Sequence, residues 1–583
     1  MLSAMRRCPP LAALLALGAT GCARVSATGG AAPAPPAAQI AVPATDSAAF
    51  EQFIQRYLVD ALRADGDTSS EAWLAGFDPA AERRTAARAD SQLALLRRLD
   101  TTRLSVPQRI DWLLAASWLE RAVYDTVLQP ARRIPGRYLT LGDLYWRVAG
   151  DRPPAPRDWA AVLRDLERAP RVLDLGRRQL EAPPPRWVRL AAATADRYAG
   201  FLGGEYAQRV HAHAPDSMRE SLLSSGDRAR RALEWYAAFL RDTVRAGAET
   251  SWQSGAAYYD WVLARANFLP YDAAAMIEAG RRIHAATLLA LDSLARELRP
   301  GTPWRRLADE MRERHPRPGE ITDAYRRASR RVQALLIERD LVTIPPCEEL
   351  TFVPTPPQLR ETYAWGGYGG ITMRDNVAVG RFFVSDVAPG MTPREAEEKL
   401  RTQNDGWIAV IALHEGYPGH HLQQVYARRN ARPLRRRGGD TYYGEGWALY
   451  AEHWMARAGL FDTHDARLAQ LQMRLWRTAR VVIDPSLHTG RMSYEEAVAF
   501  FVDEVGLERS AAEAEINRFT TWPTQAPSYI VGWLEIEQLE RDVMAALGAR
   551  FTEKEFVERV LEAGPLPPAL MRRAVLHAYG LGR

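Results

Sequence analysis

His414-Glu415-Gly416-Tyr417-Pro418-Gly419-His420-His421 packs three imidazoles and a carboxylate into eight residues. Six of the eleven histidines fall between His414 and His488, so metal chemistry is the first expectation. The zincin motif H-E-x-x-H sets two histidines one helical turn apart, with a glutamate beside them as base. Here the fourth residue after His414 is Pro418, and that motif is absent. On a straight helix His420 would sit about 120° off the face of His414. His421 would share that face but lie about 10.5 Å further along the axis. Neither spacing suits one ion. Pro418 and its flanking glycines predict a broken or bulged helix, and two residues inserted into the turn would return His420 to the metal. His421 stays open as an alternative ligand or as an outer partner of the site.

The next element is Gly444-Glu445-Gly446-Trp447-Ala448-Leu449-Tyr450-Ala451-Glu452. Glu445 and Glu452 are seven apart and share a helical face. Many zinc peptidases take their third ligand from a glutamate on a following helix, and Glu445 is the candidate. His414, His420 and Glu445 would hold one zinc ion and leave the fourth position to water. Glu415 would be the general base, and Glu452 would orient a ligand from outside. Further on, Arg477, Arg480, Asp484 and His488 recur at helical spacing, and Tyr529 follows Gln525-Ala526-Pro527-Ser528. Tyr529 and His488 are candidate donors to the oxyanion of a tetrahedral intermediate. Arg477 and Arg480 are candidate grips for a substrate carboxylate.

These stretches, with Leu422-Gln423 after the histidines, Asp484 to His488, Pro523 to Gly532 and Gly564-Pro565-Leu566-Pro567, resemble the bacterial domain-of-unknown-function 885 family over roughly residues 47 to 580. Thr524 stands where the family usually has glycine. The Glu445 stretch is also similar to the Asn-Glu-Gly-Phe-Ala segment of gluzincin aminopeptidases, whose glutamate is the third zinc ligand. The resemblance implies a divergent gluzincin-like zinc metallopeptidase, with a mostly α fold and a small β-sheet beside the active-site helices.

The elements that must position these groups can be read in outline. From Ala48 to about Leu341 the pattern is helical, with amphipathic stretches such as Ser91 to Leu99, Ser224 to Ala246 and Tyr271 to Leu298. His211 and His213 lie here as surface histidines. Leu350 to Val353 and Val377 to Val387 read as strands, with a glycine-rich loop, Trp365 to Gly370, between them. No Lys-Ser/Thr follows that loop, so it is not a phosphate cradle. Thr392-Pro393-Arg394-Glu395 is a capping box that opens a helix, and Trp407 to Leu413 is an apolar helix running into His414. The expected division is 47–340, a helical region, and 341–583, a catalytic zincin-like region.

The N-terminus has a different character. Arg6 and Arg7 precede a short apolar run, Pro9 to Gly18, and Ala19-Thr20-Gly21-Cys22 resembles a lipobox. Residues 1–22 are expected to be a lipoprotein signal, with lipid on Cys22 as the one membrane attachment. The Ala/Pro-rich residues 23–46 are expected to be a flexible linker. Cys347 is then left without a partner, and no internal disulfide is expected. With 47% hydrophobic and 25% charged residues, the 583-residue chain has the composition of a folded protein. Its pI of 9.1 comes from arginines spread along the whole chain, with lysine only at Lys399 and Lys554. A nucleic-acid site would cluster that charge, so none is expected.

The reading is therefore an exported, zinc-dependent hydrolase of the cell envelope, with peptide as substrate. Its rivals are an amidase or esterase on the same centre, and a lipoprotein that binds metal or peptide without catalysis. Glu415 favours an enzyme over mere binding, because a binding site needs no base beside its ligand.

Overall fold

The computed structural model describes residues 46–582 apart from 67–73, 75, 143, 150–153, 356–364, 375 and 389. The expected signal, the lipid site at Cys22 and nearly all of the 23–46 linker lie outside the described residues. The first helix, α1 (Asp46–Gly66), begins where that linker was expected to end.

Helices carry most of the chain. Three long amphipathic ones, α2 (Pro156–Gln179), α3 (Pro185–Gly203) and α4 (Asp216–Asp242), pack on one another around Trp159, Tyr206 and Tyr236. Their apolar core runs from Leu74 to Leu240 and is separate from the main one. The main core draws on residues from Phe50 to Val575. The expected boundary at 340 is therefore corrected by the packing. Helix α5 (Ala273–Leu298), from the N-terminal side of that line, lies against the long helix that carries Arg477 and Arg480. The outer layer, Tyr138 to Leu240 together with Leu74, is the part with a core of its own.

After α6 (Ile321–Glu338) come three strands, β1 (Glu348–Pro354), β2 (Gly366–Arg374) and β3 (Val377–Val384), in the order β1-β3-β2. β1 runs parallel to β3 with Glu348 opposite Ala378, and β2 runs antiparallel with Gly366 opposite Val384. The expected loop at Trp365 to Gly370 is thus mostly edge strand. Glycine lowers strand propensity, but the ladder to β3 supplies the partners, with an irregularity between Tyr368 and Ile371. The Thr392 capping box forms as expected, Thr392 Oγ1 accepting from Glu395 N at 3.3 Å.

The site is built from α7 (Asp405–Glu415), α8 (His420–Arg429), α9 (Thr441–Arg457), α10 (His464–His488), α11 (Arg509–Thr521) and α12 (Ser528–Leu547). Helix α10 runs through the interior and is buried on every face from Leu475 to His488. Helices α9 and α12 cross with their backbones touching. A Cβ on Gly446 would sit 2.5 Å from Gly532 Cα, and one on Gly532 would sit 1.9 Å from the Tyr442 carbonyl oxygen. The glycine after Glu445 is therefore what lets its helix close on α12. Gly446→Ala should force the two apart and cost about 1–3 kcal/mol or more. A lower midpoint in chemical denaturation checks this, and a midpoint equal to the parent's would refute it.

Candidate metal centre

His414 lies in the last turn of α7 and His420 opens α8. Between them the helix stops and restarts. The Gly416 amide still closes a helical bond to Ala412 O at 3.0 Å, but the Gly419 amide reaches back six residues to Leu413 O at 3.2 Å. Against the usual four, that is an insertion of two residues. Gly419 is required there, since a Cβ would stand 1.9 Å from the His414 carbonyl oxygen. Trp447 Nε1 donates to Pro418 O at 2.9 Å, so the Glu445 helix itself braces the break.

The break brings His414, His420 and Glu445 together, one ligand atom from each lying within 4.8 Å of the others. Glu445 Oε2 is 3.5 Å from His414 Nε2 and 3.2 Å from His420 Nε2. The two rings are 4.9 Å apart and nearly perpendicular. A tetrahedral ion with bonds of about 2.0–2.1 Å separates its ligand atoms by about 3.3–3.4 Å. Although two ring nitrogens lie this close, Glu445 Oε2 is buried and has no hydrogen-bond partner. Oxygen and imidazoles are aimed at a common point rather than at each other.

Behind them, His414 Nδ1–H donates to Glu452 Oε1 at 2.8 Å, leaving Nε2 for the common point. Glu452 is fully buried and takes Arg477 Nη2 at 3.1 Å. Burial opposes a charge on His414, but the Glu445 and Glu452 carboxylates together overcome it and hold its pKa up to about 9, so a proton on Nε2 would answer Glu445 wherever a metal did not. His421 turns the other way: its Nε2–H donates to Glu348 Oε2 at 2.5 Å and its Nδ1 accepts from Tyr368 OH at 3.0 Å. Tyr417 OH donates to the same Glu348 oxygen. As an alternative ligand His421 is thus corrected, because strand β1 occupies its outer nitrogen.

The donor set opens on a cavity of about 260 Å³. Glu415, Tyr529, Arg477 and Arg480 line it, and so do Tyr368, Glu515, Arg518 and Gln525. Burial, then the Glu445 carboxylate, pushes the Tyr529 phenol up to about 12, so it carries its proton at neutral pH. Arg480 is nine-tenths or more buried; its Nη2 meets Glu515 Oε2 at 2.9 Å. Arg518 reaches the same oxygen at 3.1 Å. Glu515 and Arg518 escape a reading of the sequence because they look like an ordinary i,i+3 surface pair. Tyr368 was hidden in the glycine-rich run.

His488 does not belong to the cleft, and its expected role as a donor is corrected. It lies eight residues beyond Arg480, about 12 Å along α10. There its Nε2–H donates to Phe519 O at 3.0 Å, and its Nδ1 accepts from Ser254 N at 3.3 Å. Burial lowers its pKa to about 4, so it is a neutral cross-link between elements. His211 and His213 are exposed, as expected.

The family of bacterial proteins of unknown function, DUF885, matches residues 63–575. The chain belongs to this family. Two solved structures share the fold of this DUF885 protein. A candidate lipoprotein of unknown function from Shewanella oneidensis has a TM-score of 0.71 at 20% identity, over 90% of this chain and 99% of that one. A candidate lipoprotein from Colwellia psychrerythraea has 0.72 at 17%, over 92% and 99%. An M32 carboxypeptidase from Deinococcus radiodurans R1 has only 0.37 at 12%, over 92% and 89%, and nothing is drawn from it. Among curated proteins none matches the chain. No helix among the described residues is long and apolar enough to cross a membrane.

Thr524 holds a left-handed conformation that favours glycine, with φ of +71°. Its amide donates to Asp484 Oδ2 at 3.0 Å, and its carbonyl accepts from Tyr442 OH at 2.8 Å. Those two bonds hold the left-handed turn, which costs a β-branched residue about 1–2 kcal/mol. Glycine would relieve that and lose about 0.5–1 kcal/mol to its freer unfolded chain. Thr524→Gly should therefore stabilise the protein by about 1 kcal/mol, visible as a higher denaturation midpoint. A lower one would show that the threonine side chain contributes more than its backbone costs.

Proposed function

We propose that this DUF885 protein is a zinc-dependent peptidase with a zincin-like active centre. The observation that carries the reading is the buried Glu445 oxygen, without a hydrogen-bond partner and facing two imidazole nitrogens at 3.2 and 3.5 Å. Such a carboxylate is costly to bury unless a cation completes it. Two histidines and a carboxylate, with one histidine backed by a second carboxylate, are a donor set that suits zinc.

His414, His420 and Glu445 would hold the ion, which when bound supplies the positive charge that acidifies a water and polarises a carbonyl. Glu452 and Arg477 keep the His414 ring in one orientation and one tautomer. Glu415, in the cavity wall beside the ligands, takes the proton of the attacking water and passes it to the departing amine. Tyr529, a protonated donor in the same wall, offers its O–H to the carbonyl oxygen as negative charge builds there. The indole and phenol rings around the cavity exclude bulk water from that exchange.

Export with a lipid on Cys22 is part of the same proposal. The lipobox-like Ala19-Thr20-Gly21-Cys22 and the lipoprotein descriptions of the two structural relatives support it.

Purified protein should carry about one zinc per chain by elemental analysis. His420→Ala and Glu445→Ala should lose it, and His421→Ala should retain it. Zinc that survives in Glu445→Ala would remove the basis of the reading. Glu415→Gln should keep the metal and lower kcat on peptides by about 10²- to 10⁴-fold, since the amide fills the same space but accepts no proton. Full activity in that variant would place the base elsewhere.

A further inference from the structure

At one end of the cleft two arginines share one carboxylate. Arg477 is answered by Glu452, but Arg480 and Arg518 share the single carboxylate of Glu515. Arg518 also donates to Gln525 Oε1. Arg480 is 3% exposed, and its Nε and Nη1 have no hydrogen-bond partner. Its guanidinium carbon lies 4.3 Å from the centre of the Trp476 ring and 4.4 Å from that of Tyr529. A buried guanidinium with free donors and half a counter-ion is unfavourable until an anion arrives. A carboxylate matches its fork. Tyr529 marks where that anion would stand. Its ring lies against Arg480 and near-parallel to the His414 ring, with ring centres 6.2 Å apart.

We propose that Arg480, with Arg518 and Gln525, receives the C-terminal carboxylate of the substrate, so that the protein removes residues from the C-terminal end of peptides. The inference rests on the peptidase reading above and narrows its substrate. In a peptide the terminal carboxylate carbon lies about 2.5 Å from the nitrogen of the last peptide bond. Anchoring it one ring away from His414 therefore presents that bond to the ligand cluster. At about 260 Å³ the cavity is smaller than the roughly 300–1,000 Å³ of sites for drug-sized ligands. That is room for a chain end rather than a through-running chain. An N-terminal ammonium at this end of the cavity would meet Arg480 and Arg518 with one carboxylate between them. Water adds across the last C–N bond, its oxygen going to the new carboxylate of the shortened peptide and its protons leaving with the released amino acid and solvent. Trp365, Trp476, Trp522, Met473 and Ile411 in the walls favour a bulky apolar last residue.

The test compares N-acetyl-Ala-Ala-Phe with its C-terminal amide on the zinc-loaded full chain, with products separated by chromatography. The free acid should be cleaved to N-acetyl-Ala-Ala and Phe with a kcat/KM higher by about 10²-fold or more. In Arg480→Met the ratio should collapse to a few-fold, and Arg480→Lys should restore part of it. The wild-type comparison needs no variant to fold. Equal rates on acid and amide, or cleavage at the internal Ala-Ala bond, would overturn the inference and leave the peptidase reading standing. If neither is cleaved, the peptidase reading fails, and binding decides the subsite by itself. By calorimetry N-acetylphenylalanine should bind at least about tenfold tighter than its amide. Equal affinities would sink the carboxylate site.

Discussion

Everything at this site depends on a helix that ends at Glu415 and starts again at His420. A continuous helix would send the two imidazoles to different faces, and no rearrangement of side chains could repair that. The break leaves backbone groups of a buried segment in need of partners, and each one unpaired would cost about 1–3 kcal/mol. Two are met by the six-residue bond from Gly419 to Leu413 and by the indole of Trp447 on the Pro418 carbonyl. The brace comes from the helix that delivers Glu445. The stretches around His414 and Glu445 thus have a mechanical reason to occur together: one makes the bend, and the other holds it while supplying the third candidate donor.

Helix α10 sets the second condition. It is surrounded by protein, so each charge on it must find a partner on a neighbouring element. Arg477 finds Glu452 on α9, Arg480 finds Glu515 on α11, and Asp484 accepts from Tyr259 at 2.6 Å and from the Thr524 amide. Burial raises Asp484 to about 7. Up one face of this helix runs a sequence of polar contacts, beginning at the ligand cluster and ending at His488. Only its first part faces the cleft. The Arg186 guanidinium and Trp187 indole of α3 bond Asn517 and Thr520 on α11, which joins the outer helical layer to the wall that bears Glu515 and Arg518.

Much of this was legible in the chain. His414, Glu415 and Glu445 stand out because rare residue types crowd a short apolar segment, and Pro418 with two glycines announces that the helix cannot be regular. The strands at Leu350 and Val377 and the capped helix at Thr392 follow from local chemistry. What could not be read depends on distant partners. Periodicity put His488 in line with Arg477 and Arg480, but it is blind to how far along a helix a cleft extends. β2 is a strand because β3 is there to pair with it, not because glycines favour one. The choice between His420 and His421 turned on Glu348, 73 residues away in the chain, which no spacing rule could supply.

Glu452 has one more implication. Its contacts with His414 and Arg477 are made by protein alone, so the His414 ring is held in place with or without an ion. In small zinc domains, ordering the chain and binding the metal are one event, and chelators unfold them. Here the ordering was completed when the surrounding helices packed. Loss of the ion would then be a change of occupancy rather than of architecture, and different divalent ions would compete for a cage whose size is dictated by helix packing.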